Sequence, residues 1–313
     1  IFCCSIFIML KLILIIIQLF FLSCIKDDPN AKQNQIFPER YIVYNDFPSK
    51  YVTPRNVEIW LPAGYDSIHS LPVLYMFDGQ NIFHGKKSWI ENKYDHGWQV
   101  DLTLDSLYRL GTVPKIIVVG IFNTGLSRYS EYIPNQPKKK IKEQLKFAEE
   151  RVIKSLDANG GIKSDSLLKF IVKELKPYVD KTYKTKKGKE HTFLAGSSMG
   201  GLISAYAICK YPNVFGKAAC ISTHWPALDG VFIEYLKYHI PDSKSHKFYF
   251  DYGTKGLDKY YEPYQLKVDS IMVSNGYEKN LNWLTKKFYN EDHNADFWRK
   301  RFHYAIEFFF HNS

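Results

Sequence analysis

Cysteine is scarce in this chain, with five residues among 313, and its placement excludes most cysteine chemistry. Cys3, Cys4 and Cys24 fall in an apolar N-terminal run, while Cys209 and Cys220 read as small buried residues of a helix and a strand rather than a disulfide. No cysteine or histidine set has metal-ligand spacing, so neither a metal nor a cofactor is expected. Internal repeats and low-complexity tracts are missing, which excludes solenoids and biased tails. Charge of one sign is also not concentrated. The net charge is +10, yet the lysines cluster only at Lys138-Lys139-Lys140 and across Lys184–Lys189. No zinc knuckle, RNA-binding aromatic signature or basic heptad helix accompanies them, so nucleic acid is not an expected partner. Affinity for anionic surfaces stays open.

What is present suits one large α/β domain: 45% hydrophobic residues, 16% aromatic and 24% charged. The first 24 residues stand apart. Met9-Leu10-Lys11 is the expected true start, followed by the apolar run Leu12–Leu22 and then Ser23-Cys24. A positive residue, a short apolar stretch and a small residue describe an export signal too short for a comfortable membrane span. Phe21-Leu22-Ser23-Cys24 resembles a bacterial lipobox, with Cys24 as the lipid-bearing N-terminus. Ile25-Lys26-Asp27-Asp28 is similar to the surface-export tag of lipoproteins from Bacteroidetes-type bacteria. The expected organisation is a lipoprotein signal over 1–24, a tether over 25–36 and one folded domain over 37–313. It implies an exported outer-membrane lipoprotein, exposed at the cell surface and held to the membrane by its lipid.

From Ile36 onward strands alternate with helices. Asn56–Leu61, Leu71–Phe77, Lys115–Ile121, Thr192–Ala195, Lys217–Ser222, Lys247–Tyr252 and Leu281–Phe288 read as strands. Ser164–Val179, Gly201–Tyr211, Tyr260–Val273 and Ala295–Phe310 carry helical spacing. This alternation predicts a mostly parallel central sheet with helices on both faces. Pro134–Gly161 is charged and reads as an excursion over the C-terminal sheet edge, partly helical across Ile141–Leu156.

Gly196-Ser197-Ser198-Met199-Gly200-Gly201 carries the chemistry. A G-x-S-x-G pattern between an apolar strand and a helix is a nucleophile elbow, whose sharp turn leaves no room for side chains two positions either side. It would lift the Ser198 hydroxyl above the sheet. Nucleophile, acid and base follow in that chain order, so the histidines before Ser198 are excluded. His224 follows its strand too early, His239 and His246 flank a loop, and His303 and His311 lie on or past the final helix. His293, after the last strand and directly before the last helix, is the expected base, with Asn294 as that helix's cap. Three carboxylates near the end of the strand Lys247–Tyr252 compete for the triad acid. Asp258 follows Gly253-Thr254-Lys255-Gly256-Leu257 and is preferred. Asp251 lies within the strand, and Glu262 falls inside the next helix.

The chain resembles an esterase family of α/β-hydrolases that contains feruloyl and acetylxylan esterases, S-formylglutathione hydrolase, enterochelin-type siderophore esterases and mycolyltransferases. The resemblance rests on Val73–Phe83, Ile117–Ile121, Arg128 with Glu131-Tyr132, Glu174–Pro177, the Ser198 elbow and His293 with Trp298. It implies the α/β-hydrolase fold and an oxyanion hole made by the backbone N–H groups of Met199 and Gln80. Asp78 is expected to orient the Gln80 loop or to bind a substrate hydroxyl, and Trp89, Trp98 and Trp225 are candidate pocket walls. The implied activity is serine-dependent hydrolysis of carboxylic esters, acting on glycan-linked acyl or feruloyl groups. A siderophore esterase, an acyltransferase and a non-catalytic glycan-binding lipoprotein are the rivals.

Overall fold

The structure is a computed structural model, and it describes residues 39–83 and 97–311. The export signal, Cys24, the tether and Trp89 lie outside the described residues.

Eight strands form one sheet: β1 (Arg40–Phe47), β2 (Arg55–Leu61), β3 (Val73–Phe77), β4 (Ile117–Ile121), β5 (Thr192–Ser197), β6 (Lys217–Ile221), β7 (Lys247–Gly253) and β8 (Trp283–Phe288). Their order is β1-β2-β4-β3-β5-β6-β7-β8. The pairs β1/β2 and β2/β4 are antiparallel, and every other pair is parallel. The expected mostly parallel sheet is therefore the observed one.

Alternation along the strands explains the layers. Val73, Tyr75 and Phe77 of β3 face one buried cluster, and Leu74 and Met76 face the other. The first cluster is covered by the helical run Ser164–Thr182 and by residues of Met199–Lys210, Val231–His239 and Glu262–Ser274. Val100–Arg109 and Ala295–Phe310 cover the second. With both faces dry, the central strands need continuous apolar runs, which is how they read in the sequence.

Boundaries moved by a few residues. The helix expected over Ser164–Val179 continues to Thr182 and contains a π turn at Ile171–Leu175. Pro177 follows that turn and has no N–H to give to the preceding carbonyls, so the ladder shifts there. The excursion holds two helices, Lys138–Gln144 and Glu150–Asn159, joined through a 3₁₀ turn at Leu145–Phe147. No helix among the described residues is long and apolar enough to cross a membrane.

Candidate active site

β5 is buried along its whole length and delivers Ser198 to the C-terminal edge of the sheet. Ser198 has φ 56° and ψ −122°, a backbone state that L-residues rarely adopt. The turn is possible because Gly196 and Gly200 nearly touch. A Cβ on Gly196 would lie 2.5 Å from the Gly200 carbonyl. Ser198 is half-buried, and the helix Met199–Lys210 starts at the next residue. The N–H groups of its first turn have no intrahelical acceptors, so the helix start beside Ser198 favours negative charge.

His293 lies between β8 and the last helix, whose start Asn294 caps by accepting the Phe297 N–H at 3.3 Å. The Trp298 and Tyr261 rings both stand nearly perpendicular to the imidazole, at 4.9 Å and 5.6 Å between centroids. Its Nδ1 lies 2.6 Å from Asp258 Oδ1.

Asp258 is fully buried in the 3₁₀ turn Asp258–Tyr260. Its Oδ2 accepts the Gly253 N–H at 2.7 Å and the Ser222 hydroxyl at 2.5 Å. Burial alone would raise the pKa of this carboxyl. The hydrogen bond and charge of His293, with Ser222 and the Gly253 N–H, hold it below the ordinary carboxylate value.

The other two acids are placed elsewhere. Asp251 is buried against Arg301 at 3.2 Å, Tyr249 Oη at 3.0 Å and the Ser222 N–H at 3.1 Å. Burial pushes its pKa up to about 6 in spite of Arg301. Glu262 opens the helix Glu262–Ser274 and pairs with Lys287 at 2.7 Å on the surface side. Of the three, Asp258 alone meets His293.

Gln80 sits in the 3₁₀ turn Gly79–Asn81 directly after β3. A Cβ on Gly200 would come within 3.3 Å of Asp78 Oδ2, so this turn lies against the elbow. Asp78 holds the turn in place rather than facing a ligand. Arg128 donates to both of its oxygens, at 2.8 and 2.7 Å, and Asn123 Nδ2 donates to Oδ1 at 2.7 Å. Its own N–H donates to Tyr132 Oη at 3.1 Å. Of the two roles expected for Asp78, these contacts favour loop orientation over binding of a substrate hydroxyl.

The tryptophans require correction as well. Trp225 is buried, stacks on Phe232 and donates Nε1–H to Gln265 at 2.7 Å, so it belongs to the core. Trp98 is buried against Trp298 and Phe302 and supports the ring beside His293 from behind. Tryptophan is large enough to be core wherever a helix meets the sheet, and sequence spacing does not distinguish that from a pocket wall.

The excursion does form a wall. A cleft of about 200 Å³ opens beside Met199 and His224, bounded by Tyr129, Phe147, Arg151 and Leu228 among others. Sequence reasoning set His224 aside as a base, yet it belongs to the site. Its N–H donates to Ser198 O at 3.1 Å, and its Nδ1 lies 2.7 Å from Tyr261 Oη. Burial, aided by the charge of His293, lowers its pKa to about 4, so it is neutral at pH 7. Tyr261 is fully buried, with Ser198 as a hydrogen-bond neighbour. Among the described residues no group of three or more His, Cys, Asp or Glu is arranged to hold a metal ion. The site joins a raised serine, an acid-backed imidazole and a helix start, the components of acyl transfer.

Comparison with known proteins agrees with this geometry. A ferulic acid esterase structure superposes with a TM-score of 0.60 at 16% identity, covering 87% of this chain and 98% of its own. The enterobactin esterase of Shigella flexneri gives 0.61 at 15%, covering 88% and 60%. At such identities the likeness speaks for the fold. By sequence, the chain is 26% identical over 205 residues to an endo-1,4-beta-xylanase/feruloyl esterase of Xylanibacter ruminicola, covering 63% of this chain. It is 24% identical over 173 residues to the uncharacterized protein YbbA of Bacillus subtilis, covering 55% of this chain. The matches span 22% and 58% of those two relatives. Residues 50–305, most of the chain, match the family described as "Putative esterase", and the chain belongs to this esterase family.

Proposed function

We propose that the protein is a serine esterase working through an acyl-enzyme on Ser198. The 2.6 Å pairing of His293 Nδ1 with Asp258, at the same sheet edge as the elbow, carries this reading. With Nδ1–H engaged by Asp258, His293 Nε2 is free to take the Ser198 proton as the hydroxyl attacks the ester carbonyl. The N–H groups of Met199 and Gln80 receive the charge that develops on the carbonyl oxygen, and His293 returns its proton to the leaving alcohol. Water then enters by the same route in reverse and releases the acid.

For the substrate we propose an acyl or aryl-acyl ester on a glycan. The names of the ferulic acid and feruloyl esterase relatives support this, as does the cleft, which is large enough for one aromatic ring and has aromatic walls at Tyr129 and Phe147. The lipobox-like Phe21–Cys24 supports placement at the cell surface. A siderophore esterase is the second reading, favoured by the likeness to the enterobactin esterase and by Arg151 on the cleft wall.

The test measures kcat/KM on nitrophenyl esters, feruloylated and acetylated xylo-oligosaccharides and a catecholate trilactone side by side. Preference for the oligosaccharide esters is expected, and preference for the trilactone transfers the assignment to the second reading. Labelling of wild type but not Ser198→Ala by a fluorophosphonate is expected. A chain that neither labels nor hydrolyses any of these esters is not an esterase.

A further inference from the structure

Ser222 stands one residue past β6, fully buried, with φ 40°. Its hydroxyl has three neighbours besides its own backbone. Trp298 Nε1–H donates to it at 3.0 Å, and Arg301 Nη2 donates to it as well. The third neighbour is Asp258 Oδ2 at 2.5 Å. A serine hydroxyl has two lone pairs and one proton. Indole N–H and guanidinium are donors only, so they occupy both lone pairs and neither can receive the proton. The proton therefore has one destination, Asp258.

We infer that Ser222 is a positioning residue of the esterase, a one-way donor that fixes the orientation and charge of Asp258 and acts on Ser198 through His293. Asp258 Oδ2 is filled by Ser222 and the Gly253 N–H, with Arg301 at 3.5 Å, which leaves Oδ1 to the imidazole. Trp298 ties the two ends together, since its ring stands against His293 while its N–H fixes Ser222. The positive φ at Ser222 fits such a role, because rare backbone states persist where the surroundings impose them.

The inference rests on the serine-esterase reading, and its test separates the two. Removing the hydroxyl takes a donor from Asp258 and makes that carboxylate more basic. His293 then holds its proton to higher pH. The other charged and titratable groups around the pair are Asp251, Arg301, Glu291, Asp292, Tyr261 and His224, and they are unchanged in the variants. Ser222→Gly suits the positive φ and guards against misfolding; Ser222→Ala and Ser222→Cys complete the set.

On a nitrophenyl ester, kcat/KM of Ser222→Gly and Ser222→Ala is expected to fall about ten- to a hundredfold, with KM little changed. The acid limb of the kcat/KM profile should move up by about one pH unit. Ser222→Cys, a weaker donor, should fall between. A merely structural serine would lower Tm and leave the limb in place. The low-field proton signal of His293 Nδ1–H needs no turnover and should move in the same variants. A folded Ser222→Gly with the wild-type acid limb, or with an unmoved low-field signal, overturns the inference. An inactive wild type whose low-field signal still moves would overturn the esterase reading alone.

Discussion

Asp258 accepts the backbone N–H of Gly253, five residues earlier, at 2.7 Å. This backward reach places the acid beneath His293, and it depends on the glycine. A Cβ on Gly253 would lie 2.2 Å from Glu291 O and 3.1 Å from Asp258 Oδ2. The expected outcome for Asp258→Asn is a loss of kcat of about 10⁴-fold with the fold intact, because the amide cannot hold the imidazole tautomer. Glu262→Gln should stay near wild type, since it removes only a surface pair with Lys287. Asp251→Asn should act on stability instead, costing about 3 kcal/mol by depriving buried Arg301 of a partner. Steady-state kinetics and urea melts on the three variants check this. A kcat collapse in either of the other two with Asp258→Asn active would move the acid.

The elbow makes a sharper steric demand. The Gly196–Gly200 approach leaves no space for one methyl, and the neighbour that would have to yield is backbone. Gly196→Ala is expected to lose both stability and at least about a hundredfold in kcat/KM, because the Ser198 turn cannot shift without moving the hydroxyl. Circular dichroism melts with fluorophosphonate labelling rates measure both. Wild-type labelling in a folded Gly196→Ala would show that the turn tolerates relaxation.

Arg128 braces the turn that carries Gln80, the second donor of the proposed oxyanion hole. Its two bonds to Asp78 clamp the turn that carries Gln80, and it stacks 5.1 Å over the Tyr132 ring. Arg128→Met keeps much of the packing and removes the clamp. The expected result is a fall in kcat of about ten- to a hundredfold with KM within a few-fold, since the N–H of Gln80 matters most when charge develops on the carbonyl oxygen. A rise in KM alone would mean that Arg128 binds substrate rather than shaping the turn.

The sequence made legible whatever is decided by near neighbours along the chain. The elbow is one turn and its glycines are two residues from the serine, so spacing alone reveals it. The parallel sheet follows from apolar runs alternating with helical periodicity. Asp258 was legible as the carboxylate beyond the glycine-containing loop after β7, though only the fold separates it from Asp251 and Glu262. Ser222, His224, Tyr261 and Arg301 come from the loops after β6 and β7 and from the last helix, and they meet only when those elements pack. Nothing in their local spacing marks them. The error on Trp98 and Trp225 has the same root, because a large ring is equally at home in a core and at a rim. Trp298, quoted only as part of a resemblance, is the tryptophan that touches His293.

His224 provides a prediction about acid stability. Burial, and then the charge of His293, lowers its pKa from 6.5 to about 4 in the folded protein. In the unfolded chain the ring titrates near its ordinary value, so between pH 6.5 and about 4 the unfolded state binds the extra proton. Stability is therefore fully present above pH 6.5 and falls as pH drops through about 4, by as much as about 3 kcal/mol from this one group. The neutral ring also keeps Nδ1 in contact with the Tyr261 hydroxyl at 2.7 Å, a contact that ties the cleft wall to the pocket of His293. His224→Gln retains polar contacts but does not titrate. Urea unfolding at pH 7 and pH 4.5 should show wild type losing more stability than His224→Gln across that interval. If the two proteins lose stability in parallel, the imidazole is not held neutral, and the acid sensitivity must come from the carboxylates around Arg301.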